Sequence, residues 1–324
     1  MNKLTKIAAS TALLISVATM ANAENWDMPT PYSDAVFHTA NIIEFASDIA
    51  TATDGGLNIT VHSAGSLFKH PDIKTAIRSR QVPIGEFFLS RLSNEDAAFG
   101  LDSQPFLAAS YDDAERLWAV QKPVITALLA KQNLMPLFAV PWPAQGLYTK
   151  GEIKTVADLA GLKFRAYNAA LETFATLAGA APTQVESPDI PQAFATGRVE
   201  AMITSPSTGA SSKAWDFLTH YTPINAWVPK NIVVVNKQMF DALDGDVQAI
   251  VLAAAASAEA RGWEMSKAEA AAKTAVMAEN GIIVVEPSAE LMTGLRAIGA
   301  QMLEDLQASA SDEAKTIIAE FSSN

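Results

Sequence analysis

The chain contains no cysteine. That excludes disulfide staples, thiol catalysis, thiolate metal sites and a lipid anchor on a cysteine following a leader. Histidine is scarce. His38, His62, His70 and His220 stand at no metal-ligand spacing, and each is expected at a surface or turn position. The sequence has no HExxH pair, no acidic calcium loop, no GxSxG nucleophile turn and no Walker A phosphate loop. The acidic doublets Glu95-Asp96 and Asp112-Asp113 suit helix N-termini, where carboxylates meet the positive end of the macrodipole. Nothing selects a carboxylate pair for hydrolysis. An enzyme, a cofactor and a metal are therefore not expected. Positive charge is also short, with 23 Lys and Arg against 35 Asp and Glu, a formal net charge of −12. Such a balance speaks against nucleic acid as a partner. It leaves room for a single buried arginine to dominate a pocket.

Long apolar runs are missing after the first twenty residues. Leu252-Ala253-Ala254-Ala255-Ala256 is soon interrupted by Ser257, Glu259 and Arg261. The opening segment is different. Lys3 and Lys6 precede an uncharged apolar and small-residue stretch from Ile7 to Met20, and Ala21-Asn22-Ala23 has the small-x-small pattern of a cleavage site. About 14 residues fall short of the ~20 needed to span a bilayer. The segment reads as a secretory leader removed after Ala23.

The rest of the chain alternates strands and helices. Extended or strand-like segments are expected at Trp26–Tyr32, 57–62, 81–89, 135–140, 146–150, 162–167, 232–235 and 282–285. Helices are expected at 34–51, 71–80, 112–134 and 155–160. A helix of unusual length is expected from Lys237 to Glu279, with no proline inside and only Gly245 and Gly262 as weak points. It is read as one rigid spine lying across two lobes rather than two helices meeting at a kink, and the tail is read as helical. The alternation implies α/β lobes with mostly parallel sheets. In Leu162-Lys163-Phe164-Arg165-Ala166-Tyr167-Asn168, Arg165 falls near the carboxyl end of a strand, where open α/β sheets collect ligands. A guanidinium there can grip a carboxylate through two parallel hydrogen bonds. A surface salt bridge is the alternative.

The segments Asp158-Leu159-Ala160-Gly161-Leu162-Lys163-Phe164-Arg165, Gln192-Ala193-Phe194-Ala195-Thr196-Gly197-Arg198-Val199-Glu200-Ala201 and Val233-Val234-Val235-Asn236-Lys237, together with Gly65-Ser66-Leu67 and Gly85-Glu86, occur in one chain. In these the sequence resembles the DctP-type solute-binding proteins of TRAP (tripartite ATP-independent periplasmic) transporters, over essentially the whole chain after the leader. The resemblance implies a two-lobed α/β periplasmic binding protein with a long helix spanning both lobes. The lobes are expected at 24–147 plus 231–270 and at 148–230 plus 271–324. It implies a ligand held in the cleft between closing lobes, integral-membrane TRAP permease subunits as partners, and a monomer. Arg165 matches the family arginine that pairs with the ligand carboxylate.

Two departures narrow the ligand. Members that bind sialic acid carry a second arginine where this chain has Gln145, and an asparagine near the position of Ser205. One strong cation among neutral donors favours a monocarboxylate. Lys69 and Lys150 are the reserve cations, each expected to be solvated. Further expected lining residues are Thr30, Tyr32, Glu86, Phe87, Phe88, Tyr167, Asn168, Thr204, Ser205, Ser207, Trp227 and Asn231. The aromatic ones, with Trp142, would suit a flat or aromatic acid. The hydroxyls would suit a short hydroxy acid. A binding subunit of another importer class, a ligand sensor and a periplasmic enzyme are the rival readings.

Overall fold

The computed structural model describes residues 23–323, so the leader expected at 1–23 lies outside the described residues except for Ala23. In chain order the elements are β1 (Glu24–Pro29), α1 (Phe37–Ala52), β2 (Leu57–His62), α2 (Ile73–Arg78), β3 (Ile84–Phe88), α3 (Tyr111–Ala130), β4 (Leu134–Pro141) and β5 (Gly146–Thr149). Next come β6 (Lys163–Ala166), α4 (Ala169–Leu177), β7 (Ala181–Gln184), α5 (Ile190–Ala195), β8 (Ala201–Thr204), α6 (Pro206–Ser211), β9 (His220–Thr222) and β10 (Lys230–Asn236). The last are α7 (Lys237–Asp241), α8 (Gly245–Glu279), β11 (Ile283–Val284), α9 (Ala289–Ser309) and α10 (Asp312–Ser323). One acidic doublet sits where the macrodipole favours it, while in the other only Asp96 caps a helical segment and Glu95 pairs with Lys74. Asp112 and Asp113 lie in the first turn of α3, and Asp96 accepts from the Ala98 amide at the start of a 3-10 segment.

The first lobe holds the parallel pair β1–β2 and a three-stranded antiparallel sheet in the order β3-β10-β4. The second holds six strands in the order β11-β9-β5-β8-β6-β7. Within it β7, β6 and β8 run parallel, and β5 is antiparallel to both its neighbours. The sheets are thus mixed: parallel strands fill one half of the second lobe, and antiparallel pairing appears around the strands nearest the crossings. The chain crosses between the lobes at 142–145 and again at 223–229. Each lobe buries apolar side chains on both faces of its sheet.

The third link is α8. Its 35 residues span about 52 Å at 1.5 Å per residue. It packs on α1 and β4 of the first lobe and on α6 and β11 of the second. Gly262 permits that approach, because a Cβ there would stand 2.4 Å from Val140 Cγ2 and 2.8 Å from Asn41 Nδ2. The spine is shorter than expected. Residues 242–244 separate α7 from α8, Asp244 adopts a non-helical conformation ahead of Gly245, and Leu243 turns into the first-lobe core. Gln248 Nε2 donates to the freed Leu243 carbonyl at 2.9 Å. Gly245 therefore starts the helix instead of weakening it.

The tail also departs from expectation. Helix α9 lies against α4 of the second lobe, but α10 returns to the first. Ala314, Ile317, Ile318 and Phe321 enter the core beneath α3, with the Arg116 guanidinium 4.8 Å from the Phe321 ring. Its apolar stripe matches that core, so 312–323 belongs with the first lobe and not the second.

Candidate functional site

A cavity lies between the lobes, lined by Tyr32, His70, Phe88, Trp142, Gln145, Arg165, Tyr167, Glu186, Ser187, Thr204, Ser205 and Thr208. The second-lobe wall follows the strand-end rule. Arg165 is on β6, Glu186 follows β7, and Thr204 and Ser205 end β8, so three adjacent parallel strands aim their carboxyl ends at the cavity.

Arg165 is 3% exposed. Its Nε donates to the Val185 carbonyl at 2.9 Å, and its guanidinium carbon lies 4.8 Å from the centre of the Tyr167 ring. It forms no ion pair with any described residue. Burial pulls its pKa down to about 10, against weaker support from Tyr167, Glu186 and Tyr32. It therefore stays charged at neutral pH. With Nε committed, the two terminal nitrogens remain to meet a ligand.

Tyr167 is fixed by a directional chain. The Trp227 indole donates to the Tyr167 oxygen at 3.0 Å, Tyr167 donates to Gln145 Oε1 at 3.0 Å, and Gln145 Nε2 donates to the Pro143 carbonyl at 2.8 Å. Both interlobe crossings thus hold the ring on which Arg165 rests. Across the cavity, Tyr32 and Trp142 both donate to Asn231 Oδ1, at 3.2 and 2.9 Å. Asn231 Nδ2 and Thr30 Oγ1 donate in turn to Glu86, at 3.1 and 2.6 Å. His38 Nδ1 lies 3.3 Å from Glu86 but out of line for a hydrogen bond. Burial works against the Glu86 charge, yet His38, Thr30 and Asn231 outweigh it and hold the carboxyl below its ordinary range.

A second polar cluster joins the lobes. Glu186 accepts from His70 Nδ1 at 3.0 Å and from Arg91 Nη1 at 2.8 Å. The Phe88 amide donates to His70 Nε2 at 3.0 Å, so Nε2 must be unprotonated and His70 is the neutral Nδ1–H tautomer. Burial lowers the His70 pKa accordingly. Burial opposes the Glu186 charge, but His70, Arg91 and Arg165 prevail and bring its pKa to about 2. Asn168 adds one more bridge, donating to Ser90 Oγ at 2.8 Å while capping α4.

Of the expected lining residues, the cavity brings together Tyr32, Phe88, Gln145, Arg165, Tyr167, Thr204 and Ser205. Thr30, Glu86 and Asn231 stand one layer behind it, and Asn168 bridges the lobes at its side. Phe87 faces the opposite core, because strand side chains alternate and Phe88 takes the cavity face. Trp227 packs into the second-lobe core against Phe174. Ser207 is buried away from the cavity. Lys69 and Lys150 are exposed and do not line it. His38 and His70 are buried, not surface, histidines. His70, Glu186, Ser187 and Thr208 have no place in the expected lining. The signal for Glu186 is its position just past a parallel strand.

Comparison with known proteins gives the same picture. The family model described as bacterial extracellular solute-binding protein, family 7 (DctP) matches residues 30–309. A crystal structure of DctP7, a Bordetella pertussis extracytoplasmic solute receptor binding pyroglutamic acid, is 40% identical, with a TM-score of 0.91 over 93% of this chain and 100% of that one. A marine metagenome TRAP solute-binding protein specific for pyroglutamate is also 40% identical, with a TM-score of 0.90 over 93% of this chain and 99% of that one. A solute-binding protein of Albidiferax ferrireducens is 24% identical over 259 residues, 78% of this chain and 76% of its own. These relatives are named as binding proteins or receptors, not as enzymes. No helix among the described residues is long and apolar enough to cross a membrane. The chain belongs to the DctP family of extracytoplasmic solute-binding proteins, the receptors that work with the membrane components of TRAP transporters.

Proposed function

We propose that the protein captures a small monocarboxylate, pyroglutamate or an acid of the same chemistry, in the cavity between its lobes and hands it to the TRAP permease subunits. The carrying observation is the Arg165 guanidinium, buried and without an ion pair among the described residues. An unpaired buried charge costs several kcal/mol, and an anionic ligand supplies the missing partner. The terminal nitrogens would take the carboxylate in two parallel bonds. Tyr32, Phe88, Trp142 and Tyr167 offer a flat apolar surface for a small ring. The Thr204 and Thr208 hydroxyls offer partners for a ring carbonyl or N–H, while the Ser205 hydroxyl caps α6. Relatives of 38–40% identity that are named as pyroglutamate binders support this ligand.

Binding and closure are one event in this reading. The carboxylate docks on the second lobe, the lobes rotate about the crossings, and contacts present only in the closed form hold them shut. The mature protein is taken to be a periplasmic monomer cut after Ala23, with no nucleic-acid partner. Titration calorimetry with pyroglutamate and a panel of organic acids tests the reading. Pyroglutamate is expected to bind one to one, and Arg165→Ala to lose on the order of 2–5 kcal/mol. Unchanged affinity in that variant would refute the anchor.

A further inference from the structure

Among the described residues that line the cavity, Glu186 is the only acid and Arg165 the only cation, since His70 is held neutral. We propose that Glu186 determines specificity: its carboxylate bars ligands that carry a second negative charge. The inference rests on Arg165 as the anchor of the first carboxylate.

The geometry supplies each step. Arg165 bonds the carbonyl of Val185, the residue before Glu186, so anchor and acid are neighbours on the same wall. A monocarboxylate neutralises Arg165. A dicarboxylate brings one more charge, and no free cation remains to receive it. Arg91 and the His70 Nδ1–H are both spent on Glu186. That pairing also keeps Glu186 ionised, with its pKa near 2. Both groups line one cavity, so the second carboxylate of a small diacid anchored on Arg165 stays on the order of 10 Å or less from Glu186. Repulsion over such a distance in a protein interior is worth roughly tenfold to a hundredfold in affinity. A preference can come from repelling the wrong ligand as well as from gripping the right one.

Glu186 also joins the lobes, so its removal must weaken closure for every ligand. The informative quantity is therefore the ratio of affinities for pyroglutamate and for glutarate, a five-carbon dicarboxylate. Calorimetry on the full-length mature protein would compare the wild type with Glu186→Gln and, as a second variant against misfolding, Glu186→Ala. Circular dichroism would confirm the fold. In both variants glutarate affinity is expected to rise at least tenfold relative to pyroglutamate. Arg91→Gln cuts the interlobe bridge but keeps the Glu186 charge, now without its counter-cation, and is expected to weaken both ligands, glutarate no less than pyroglutamate. Two results would overturn the proposal: no gain in glutarate binding relative to pyroglutamate in either Glu186 variant, or a shift of the ratio toward glutarate in Arg91→Gln as large as theirs. A wild type that ignores pyroglutamate, beside a Glu186→Gln variant that gains glutarate, would reject the ligand reading and uphold the filter.

Discussion

The two walls of the cleft solve different problems. The first-lobe wall is aromatic and finished: Tyr32 and Trp142 spend their polar atoms on Asn231, which Glu86 holds from behind. The second-lobe wall is polar and unfinished, with an unpaired guanidinium on β6 and a Thr204 hydroxyl at the end of β8. Shape is thus fixed in one lobe before any ligand arrives, while charge waits in the other. On the proposed reading, a ligand that satisfies both brings an apolar face and one carboxylate and touches both walls once the lobes close. The contrast also separates stability from binding. Damage to the finished wall should unfold the lobe, and damage to the unfinished one should spare the fold.

The largest effect expected from breaking this contrast is on the finished wall. Asn231→Leu strands the Tyr32 hydroxyl, the Trp142 indole and one oxygen of a buried carboxylate. Urea denaturation should report a loss of about 3 kcal/mol, from buried groups that each cost about 1–3 kcal/mol when unpaired. A loss under about 0.5 kcal/mol would mean the wall is not held by this network. Next is Tyr167→Phe, which removes the link between the crossings beneath Arg165. Ligand affinity should fall by about 1 kcal/mol, the net worth of a typical hydrogen bond, and stability by about 1–3 kcal/mol, because the buried Trp227 indole and Gln145 Oε1 lose their partner. Unchanged affinity in calorimetry would show that this ring does not support Arg165. Ser90→Ala removes one bridge across the cleft and should lower affinity by about 0.5–1 kcal/mol, read by calorimetry.

The pH dependence is the smallest expected effect. His70 is neutral in the fold, with its pKa pushed by burial below the ordinary 6.5. A base whose folded pKa is depressed stabilises the fold above its unfolded pKa and loses that contribution as pH falls. Thermal stability should therefore decline as pH drops below about 6.5, with His38, depressed in the same direction by burial, adding to the slope. Glu186 extends the decline from its ordinary 4.5 down to about 2, because its folded pKa is lowered. His70→Asn should flatten the upper part of the profile. A wild-type midpoint that stays level from pH 7 to pH 5 would contradict the assigned tautomer.

Much of the site is legible in the chain. Arg165 can be found because a basic residue at the carboxyl end of a short apolar strand has few structural reasons to be there. Gln145 is reached only through the family resemblance and not through its own chemistry. Phe87 and Phe88 mark the limit of such reading. Every residue of Ile84–Phe88 is buried, so no alternation of apolar and polar residues reveals which face is which. Trp227 lies in a crossing segment without periodicity, and its indole meets Tyr167 only through the tertiary fold. Glu186 signals only its place just past a strand, because a carboxylate in a loop is ordinary until His70 and Arg91, 116 and 95 residues away, close on it. The amphipathic stripe of α10 announces burial but not the lobe that receives it.

The central claim is that Arg165 is a charge left unpaired for the ligand to complete. Calorimetric melting of Arg165→Met, with and without pyroglutamate, tests it most directly. The account expects the ligand-free variant to melt no lower than the wild type, because an apolar side chain replaces an uncompensated buried charge. It expects pyroglutamate to raise the wild-type midpoint by mass action and leave the variant unmoved. A variant that melts well below the wild type, yet is stabilised by pyroglutamate to the same extent, would contradict it.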